Sequence, residues 1–325
     1  MKLEIHARNT DGVLRRLPSP IEMVYDAGRE TPCDALELTV PLCFEEEDFC
    51  ELTLTAEGSI QFDGIVDRQI REKSGRGNRL RLECRSRTAL LLDNELKPCF
   101  YFQLTSAQLF EQYLAPYGVK KAHFPYPAKR NFIQIKKGTC VWVLTEQFCD
   151  LVYDAAPFLT PGGELTLQPL GQKSYALSNR AAGALPYLSL KFHQRNDKLI
   201  SRVHMKTATE TYGNYYGFTF DNPEAVMRRV QRERYHHPVH VVTEHAKLET
   251  QRILQQSNQD SFLCEAELPG IHLLELGGRV RLPDEEKAEA LIIQEIRCEV
   301  SESGAVTTLR MIRETSLSPV YSRHT

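Results

Sequence analysis

The first ninety residues alternate apolar with polar. Leu3, Ile5 and Ala7, then Leu36, Leu38 and Val40, then Leu52, Leu54 and Ala56, then Ile60 and Phe62 each recur at every second position, the period at which successive side chains leave a strand on opposite faces. Turn chemistry separates these runs at Asp11-Gly12, Pro18, Pro20, Glu57-Gly58, Asp63-Gly64 and Gly75 to Asn78. The pattern predicts five or six short antiparallel strands forming a small barrel or sandwich. The last strand places Arg79, Arg81, Glu83, Arg85 and Arg87 on one side and Leu80, Leu82, Cys84 and Ser86 on the other, one face wet and one buried. Leu90 to Leu92 follow and are expected to pack this domain against the next.

From residue 97 the period lengthens. Thr105 and Gln108 have capping-box spacing, and Phe110, Tyr113, Leu114 and Tyr117 fall at i, i+3, i+4 and i+7 before Gly118. A second helical stripe joins Val141, Leu144, Phe148, Leu151, Val152 and Ala155, with the "NFIQIKKG" strand between the helices and a turn and strand in "TPGGELTLQPL". From about 186 strands return in "LSLKFHQ", "LISRVHMKTA" and "YYGFTF". "HPVHVVTEHAKLETQRILQQSNQD" then moves from a strand into a mostly polar helix with a narrow stripe of Ala246, Ile253 and Leu254. Three further strands end the chain, joined by Pro-Gly, Gly-Gly and Ser-Gly turns. The reading is a β-rich α+β fold with two barrel-like antiparallel β domains, residues 1–96 and 186–315. A small α/β module occupies 97–185, a helical insertion lies around 242–262, and 316–325 form a tail.

Composition adds boundaries. At 325 residues the chain exceeds one ordinary core, and 42% hydrophobic with 26% charged residues suits a folded protein. A net charge of −3 excludes a surface built throughout to hold phosphates. Nine cysteines with no C-x-x-C pair read as free thiols of a protein made inside the cell. MKLEIHAR enters a strand at once, so no secretory signal is expected, and no apolar run reaches membrane-spanning length.

Three clusters offer chemistry. His236, His237, His240 and His245, with His193 and His204 nearby, are zinc-ligand types, but no recognised ligand spacing accompanies them; polar strand faces or an interface are the favoured reading. Glu45, Glu46, Glu47 and Asp48 lack the interleaved Gly or Asn of a cation loop and read as a solvated loop. Tyr212, Tyr215, Tyr216, Phe218 and Phe220, near Arg202 and Lys206, have the side chains that stack single-stranded bases, without a matching basic field. No nucleophile elbow, Walker loop or dinucleotide glycine pattern is present. No catalytic, cofactor-binding or metal-binding residue is therefore nominated, and binding or assembly is expected instead.

The segments "DGVLRRLPSPIEMVYDAGRETPCDALELTVP" with "IQFDGIVDRQI", "LRLECRSRTALLLDNELKP", and "LPGIHLLELGGRVRL" with "EALIIQEIRCEVSESGAVTTLRM" together resemble the baseplate hub proteins of contractile phage tails. This is the late control protein D family, related to the hub part of type VI secretion spike proteins. The resemblance implies a non-enzymatic homotrimer without cofactors, in which two barrels per subunit build a pseudo-six-fold ring between a six-fold tail tube and a three-fold spike. It further implies tail tube, spike and tape-measure proteins as partners, with DNA only as transiting cargo and no membrane insertion. The expected location is the tail baseplate of a (pro)phage, bacteriocin or related injection particle, assembled in the bacterial cytoplasm. No lysozyme-like or spike-like extension follows, so puncturing would fall to a separate protein. In that setting Arg79, Arg81, Glu83, Arg85 and Arg87 become a subunit contact or a lumen wall. The alternatives are a carbohydrate- or nucleic-acid-binding β module and a histidine-metal hydrolase.

Overall fold

The structure, a computed structural model, describes residues 3–29, 33–75, 77–153, 155–167, 173–207, 216–238, 243–285 and 290–313, with only the backbone at 243–245. The chain divides into two compact units. One comprises Met1–Gly171, Pro269–Gly277 and Glu295–Thr308; the other comprises Gln172–Leu268, Gly278–Gln294 and Leu309–Thr325.

The first unit opens with seven antiparallel strands: β1 (Leu3–Asn9), β2 (Leu14–Arg16), β3 (Glu22–Gly28), β4 (Ala35–Pro41), β5 (Phe49–Ala56), β6 (Ser59–Ser74) and β7 (Gly77–Ser86). They lie in the order β3-β4-β7-β6-β5-β1-β2. Alternation places Ile5, Ala7, Leu36, Leu38, Val40, Leu52, Leu54, Phe62, Leu80, Leu82 and Cys84 inside. The sheet rolls about this face. β3 and β6 are three strand spacings apart, roughly 14 Å if flat, yet the Tyr25 and Phe62 rings meet edge-on at 6.4 Å, and the Tyr25 hydroxyl donates to the Gln61 carbonyl at 3.4 Å. At the β5–β6 hairpin Glu57 and Gly58 both have positive φ, 49° and 80°, as a two-residue type I′ turn requires.

Asp63-Gly64 departs from its expectation as a turn, and β6 is sixteen residues long rather than short. Its first half pairs with β5 and its second with β7, and Gly64 sits where these ladders overlap. A Cβ there would lie 2.3 Å from the Arg85 carbonyl oxygen and 2.5 Å from the Phe62 ring. Glycine serves close backbone approach at this position, a role that dipeptide statistics do not separate from a turn.

The unit continues with α1 (Ala89–Asp93), β8 (Cys99–Thr105), α2 (Ser106–Gln108, Leu109–Leu114 and Ala115–Tyr117), β9 (Lys121–His123), β10 (Lys129–Ile135), α3 (Val141–Tyr153), β11 (Phe158–Leu159) and β12 (Glu164–Thr166). Thr105 and Gln108 form the capping box, with Gln108 N donating to Thr105 Oγ1 at 3.1 Å and Thr105 N to Gln108 Oε1 at 2.9 Å. The middle of α2 is wound as a π-helix and its end as a 3₁₀ turn. That winding brings Leu109 and Leu114, five residues apart, into the core, while Phe110, Tyr113 and Tyr117 of the expected stripe are only partly buried. In α3, Val141, Leu144 and Phe148 are buried together with Trp142, Thr145 and Cys149, and Leu151 stays outside the cluster. Leu91 is fully buried in this core and Leu92 packs on it.

In the second unit β13 (Ser174–Ala176), β14 (Ser189–Gln194), β15 (Arg202–Met205), β16 (Phe218–Asp221), α4 (Pro223–Met227), β17 (Glu233–His236), α5 (Thr243–Asp260), β18 (Phe262–Pro269) and β19 (Arg279–Arg281) follow in order. β15 pairs antiparallel with β16 and parallel with β17. Ala246 and Leu254 of α5 pack with Val203, Met205 and Phe220, flanked by Ile200 and Ile253. Ser257 reinforces the seat, accepting from Ile200 N at 2.7 Å and donating to the Lys198 carbonyl at 3.2 Å. Two last strands, β20 (Leu291–Ser301) and β21 (Gly304–Arg313), are divided between the units. Glu295 to Val300 pair with β3 of the first unit, and Leu291 and Ile292 pair with β19 of the second.

Replacing Gly64 with Ala forces a Cβ into backbone, and overpacking of this kind costs about 1–3 kcal/mol. Urea denaturation is expected to show that loss, whereas Gly75→Ala, where no atom lies within 4 Å of a new Cβ, loses less.

Candidate functional site

β7 lies between β4 and β6, so its charged side crosses the middle of a sheet face. Glu37 of β4 stands directly opposite Glu83, a like-charge pair that would repel. Arg81 bridges both, 2.9 Å from Glu37 and 3.1 Å from Glu83, and Arg68 adds a contact to Glu83 at 3.3 Å. Arg85 holds Asp67 at 2.6 Å and Asp93 at 2.8 Å. The β6–β7 register slips between Val66 and Arg68; the bulged Asp67 is thereby aimed at Arg85, and Asp93 ties α1 to the strand. These bonds raise the Arg85 guanidinium pKa further and lower that of the Asp93 carboxyl. Arg87 contacts Glu51 and Asp63, both at 3.1 Å, and Arg79 lies 3.7 Å from Glu22 and 3.9 Å from Glu302. Every arginine of the stripe meets a carboxylate, so the face is an ion-pair lattice rather than a cationic field.

The acidic run 45–48 is a solvated loop as expected, with Glu45, Glu46 and Asp48 exposed, and it is also tied down by cations. Arg15 donates to Glu47 at 2.6 Å and Asn9 does so at 2.9 Å, and Arg71 and Lys73 of β6 reach Asp48 and Glu45 at 2.8 and 2.7 Å. The Arg15 hydrogen bond lowers the Glu47 carboxyl pKa. Spacing alone could not show that β2 and β6 bring these cations to the loop.

The described histidine side chains do not converge on one point. His236 Nε2 lies 2.8 Å from Glu249, and His204 Nε2 lies 2.8 Å from Glu233 while its ring stacks on Tyr235 at 4.7 Å. His237 lies 2.7 Å from the Tyr216 hydroxyl, and His193 is 3.3 Å from Glu265. Among the described residues no group of three or more His, Cys, Asp or Glu could hold a metal ion. Tyr212, Tyr215 and His240 lie outside the described residues, as does the His245 side chain. Phe220 is buried in the second unit's core, whereas Phe218 is exposed with Lys247 4.7 Å above its ring. Among the described residues the aromatic set is therefore no single stacking face.

Two features escaped the periodicity. Phe100, Phe102 and Phe132 on the β8–β10 ribbon are 52%, 76% and 68% exposed; their signal was a phenylalanine pair flanking Tyr101 beside a stretch, residues 112–145, without Asp or Glu. The second is Asp34, which borders a cavity of about 40 Å³, room for a water, together with Asp63, Arg87 and Lys120. Desolvation pushes its carboxyl up to about 7, opposed by a hydrogen bond from the Tyr25 hydroxyl at 3.3 Å.

Because Asp34 titrates near 7 in the fold against 3.8 ordinarily, the folded state holds its proton longer. Its contribution to stability is full below about pH 4 and is lost as pH rises to about 7. Thermal melts of Asp34→Asn and wild type are expected to diverge in favour of the variant across that window and to run parallel above it.

No helix among the described residues is long and apolar enough to cross a membrane. No family model matches the chain, and no curated protein matches it. Solved structures do. A tail protein from Neisseria meningitidis MC58 superposes with a TM-score of 0.77 at 17% identity, over 97% of this chain and 98% of that one. The 43 kDa tail protein of prophage MuSo2 from Shewanella oneidensis gives 0.74 at 16%, over 97% and 100%. An Escherichia coli component of the type VI secretion system, itself described as similar to bacteriophage T4 tail proteins, gives 0.57 at 11%, over 99% and 80%. The chain thus has the β-rich fold of phage tail and type VI secretion proteins along nearly its whole length.

Proposed function

We propose that the chain is the baseplate hub of a contractile (pro)phage tail or related injection particle, a homotrimer that adapts a six-fold tail tube to a three-fold spike. The supporting observation is the likeness to two tail proteins, which runs over almost the full length of both partners in each comparison. In this reading residues 1–96 and 186–315 supply the two hub barrels, 97–185 a module beside the ring, and 316–325 a tail. Its role is structural, and its partners are the tube, spike and tape-measure proteins, with DNA passing only as cargo. It resides in the tail baseplate after assembly in the bacterial cytoplasm.

Edge strands favour the trimer. Among the described residues, β2 of the first unit pairs only with β1, and Val13 and Leu14 at that edge are exposed. Among them too, β14 of the second unit pairs only with β18, with Leu188 and Phe192 exposed. Uncovered edges with apolar side chains are sites where another chain adds. The ion-paired row Arg79, Arg81, Glu83, Arg85 and Arg87 suits a wall against a neighbouring subunit or a lumen through which DNA slides, because its charges are already satisfied and would not hold a polyanion.

Light scattering of the purified full chain is expected to give three times 37.2 kDa. Phe192→Lys, at an exposed edge position, should shift that mass toward the monomer without loss of circular dichroism. A monomer at all concentrations overturns the hub reading.

A further inference from the structure

The β8–β10 ribbon carries an exposed aromatic ridge. Phe100 and Phe102 meet at 5.4 Å, Phe100 and Phe132 at 6.1 Å, and Phe102 and Phe132 at 6.3 Å. Soluble surfaces rarely leave such a contiguous apolar cluster in water without a partner for it, and the same unit buries Phe49, Phe62 and Phe148. The ladder runs Lys129↔Thr105 through Asn131↔Gln103 and resumes at Ile133↔Tyr101, so Phe102 and Phe132 occupy the one rung it skips. Phe132 is held there at φ 59°, a conformation uncommon for a bulky residue.

Beside the ridge lies an open groove of about 470 Å³. Gln134, which pairs with Phe100 across the ladder, forms its near wall with Lys136, and Val143, Glu146 and Asp150 of α3 line it too. The groove sets Glu146 and Asp150 against Lys136, whereas the ridge strand β10 and the turn after it carry cations alone. Lys129, Arg130, Lys136 and Lys137 belong to the stretch 112–145 that contains no acid, and none makes an ion pair among the described residues; the Arg130 Nε is buried without an acceptor. The contrast with β7, where every arginine is neutralised, marks these cations as available to a partner.

From this geometry we infer that the outer face of the β8–β10 ribbon docks an acidic protein segment whose apolar side chains seat against Phe100, Phe102 and Phe132. Unpaired cations beside an apolar ridge complement that chemistry. A nucleic-acid strand fits less well: Phe102 meets both Phe100 and Phe132 edge-on rather than offering a parallel face to a base. The surface is separate from the β2 and β14 edges invoked for the trimer, so this inference and the hub reading fail independently.

The test is fluorescence anisotropy with the full chain and three labelled probes: a peptide alternating Glu or Asp with Leu and Trp, its counterpart with every acid replaced by Lys, and oligo-dT. The acidic peptide is expected to bind, and to bind more weakly as salt rises. Phe102→Ser with Phe132→Asn should weaken it about tenfold or more, the scale of a lost interface anchor. Lys136→Glu with Lys137→Glu should weaken it and flatten the salt dependence, whereas Arg81→Ala leaves it unchanged. All substituted side chains are solvent-facing, and circular dichroism checks the fold of each variant. Absence of acidic-peptide binding, equal binding of the lysine peptide, indifference to both ribbon variants, or binding of oligo-dT in place of the peptide would each overturn the proposal.

Discussion

The close approach of β6 to β7 at Gly64 is the constraint on which the first unit depends. Only a residue without a Cβ lets the Arg85 carbonyl come so near, and that contact lets one long strand leave β5 for β7 as the sheet rolls. The roll brings Tyr25 to Phe62 and closes the apolar interior. It also sets the bulge that turns Asp67 toward Arg85. Arg85 in turn holds Asp93 and hence α1, whose Leu91 enters the core of the following module. A single steric allowance thus propagates from backbone to core to the junction with the next module.

Electrostatics divides this unit into satisfied and unsatisfied surface. The strand with the densest arginine content is internally compensated, with Arg81 resolving a Glu37–Glu83 repulsion that the register itself creates. The quieter ribbon of β8 and β10 keeps its cations unpaired beside exposed phenylalanines. Counting charges along the chain ranks these surfaces in the wrong order, because what a partner feels is the charge left after neighbours have taken their share.

Much of the fold was legible. The strands β1, β4, β5 and β7, the Thr105–Gln108 capping box, the α3 stripe and the α5 contacts of Ala246, Ile253 and Leu254 all follow from periodicity and cap chemistry. The departures share a cause. Asp63-Gly64 has the composition of a turn but lies inside β6, Phe110, Tyr113 and Tyr117 fit regular α-helical winding although Leu109 and Leu114 are the buried pair, and the solvated 45–48 loop is pinned by Arg15, Arg71 and Lys73 from distant strands. Each depends on what lies across from the residue, not on what lies beside it in sequence.

The sequence by itself determined which side chains point inward along β1, β4, β5, β7 and α5, because those directions follow from backbone periods of two and of about 3.6. It also established the acid-free stretch 112–145 and the Arg79 to Arg87 alternation. Only the tertiary structure decided which charges cancel, which aromatics stay in water and which strands remain edges, since these depend on pairings such as Arg297 with Asp26, brought together from opposite ends of the chain. Long-range register is a property of the rolled sheet as a whole, and no local window of residues contains it.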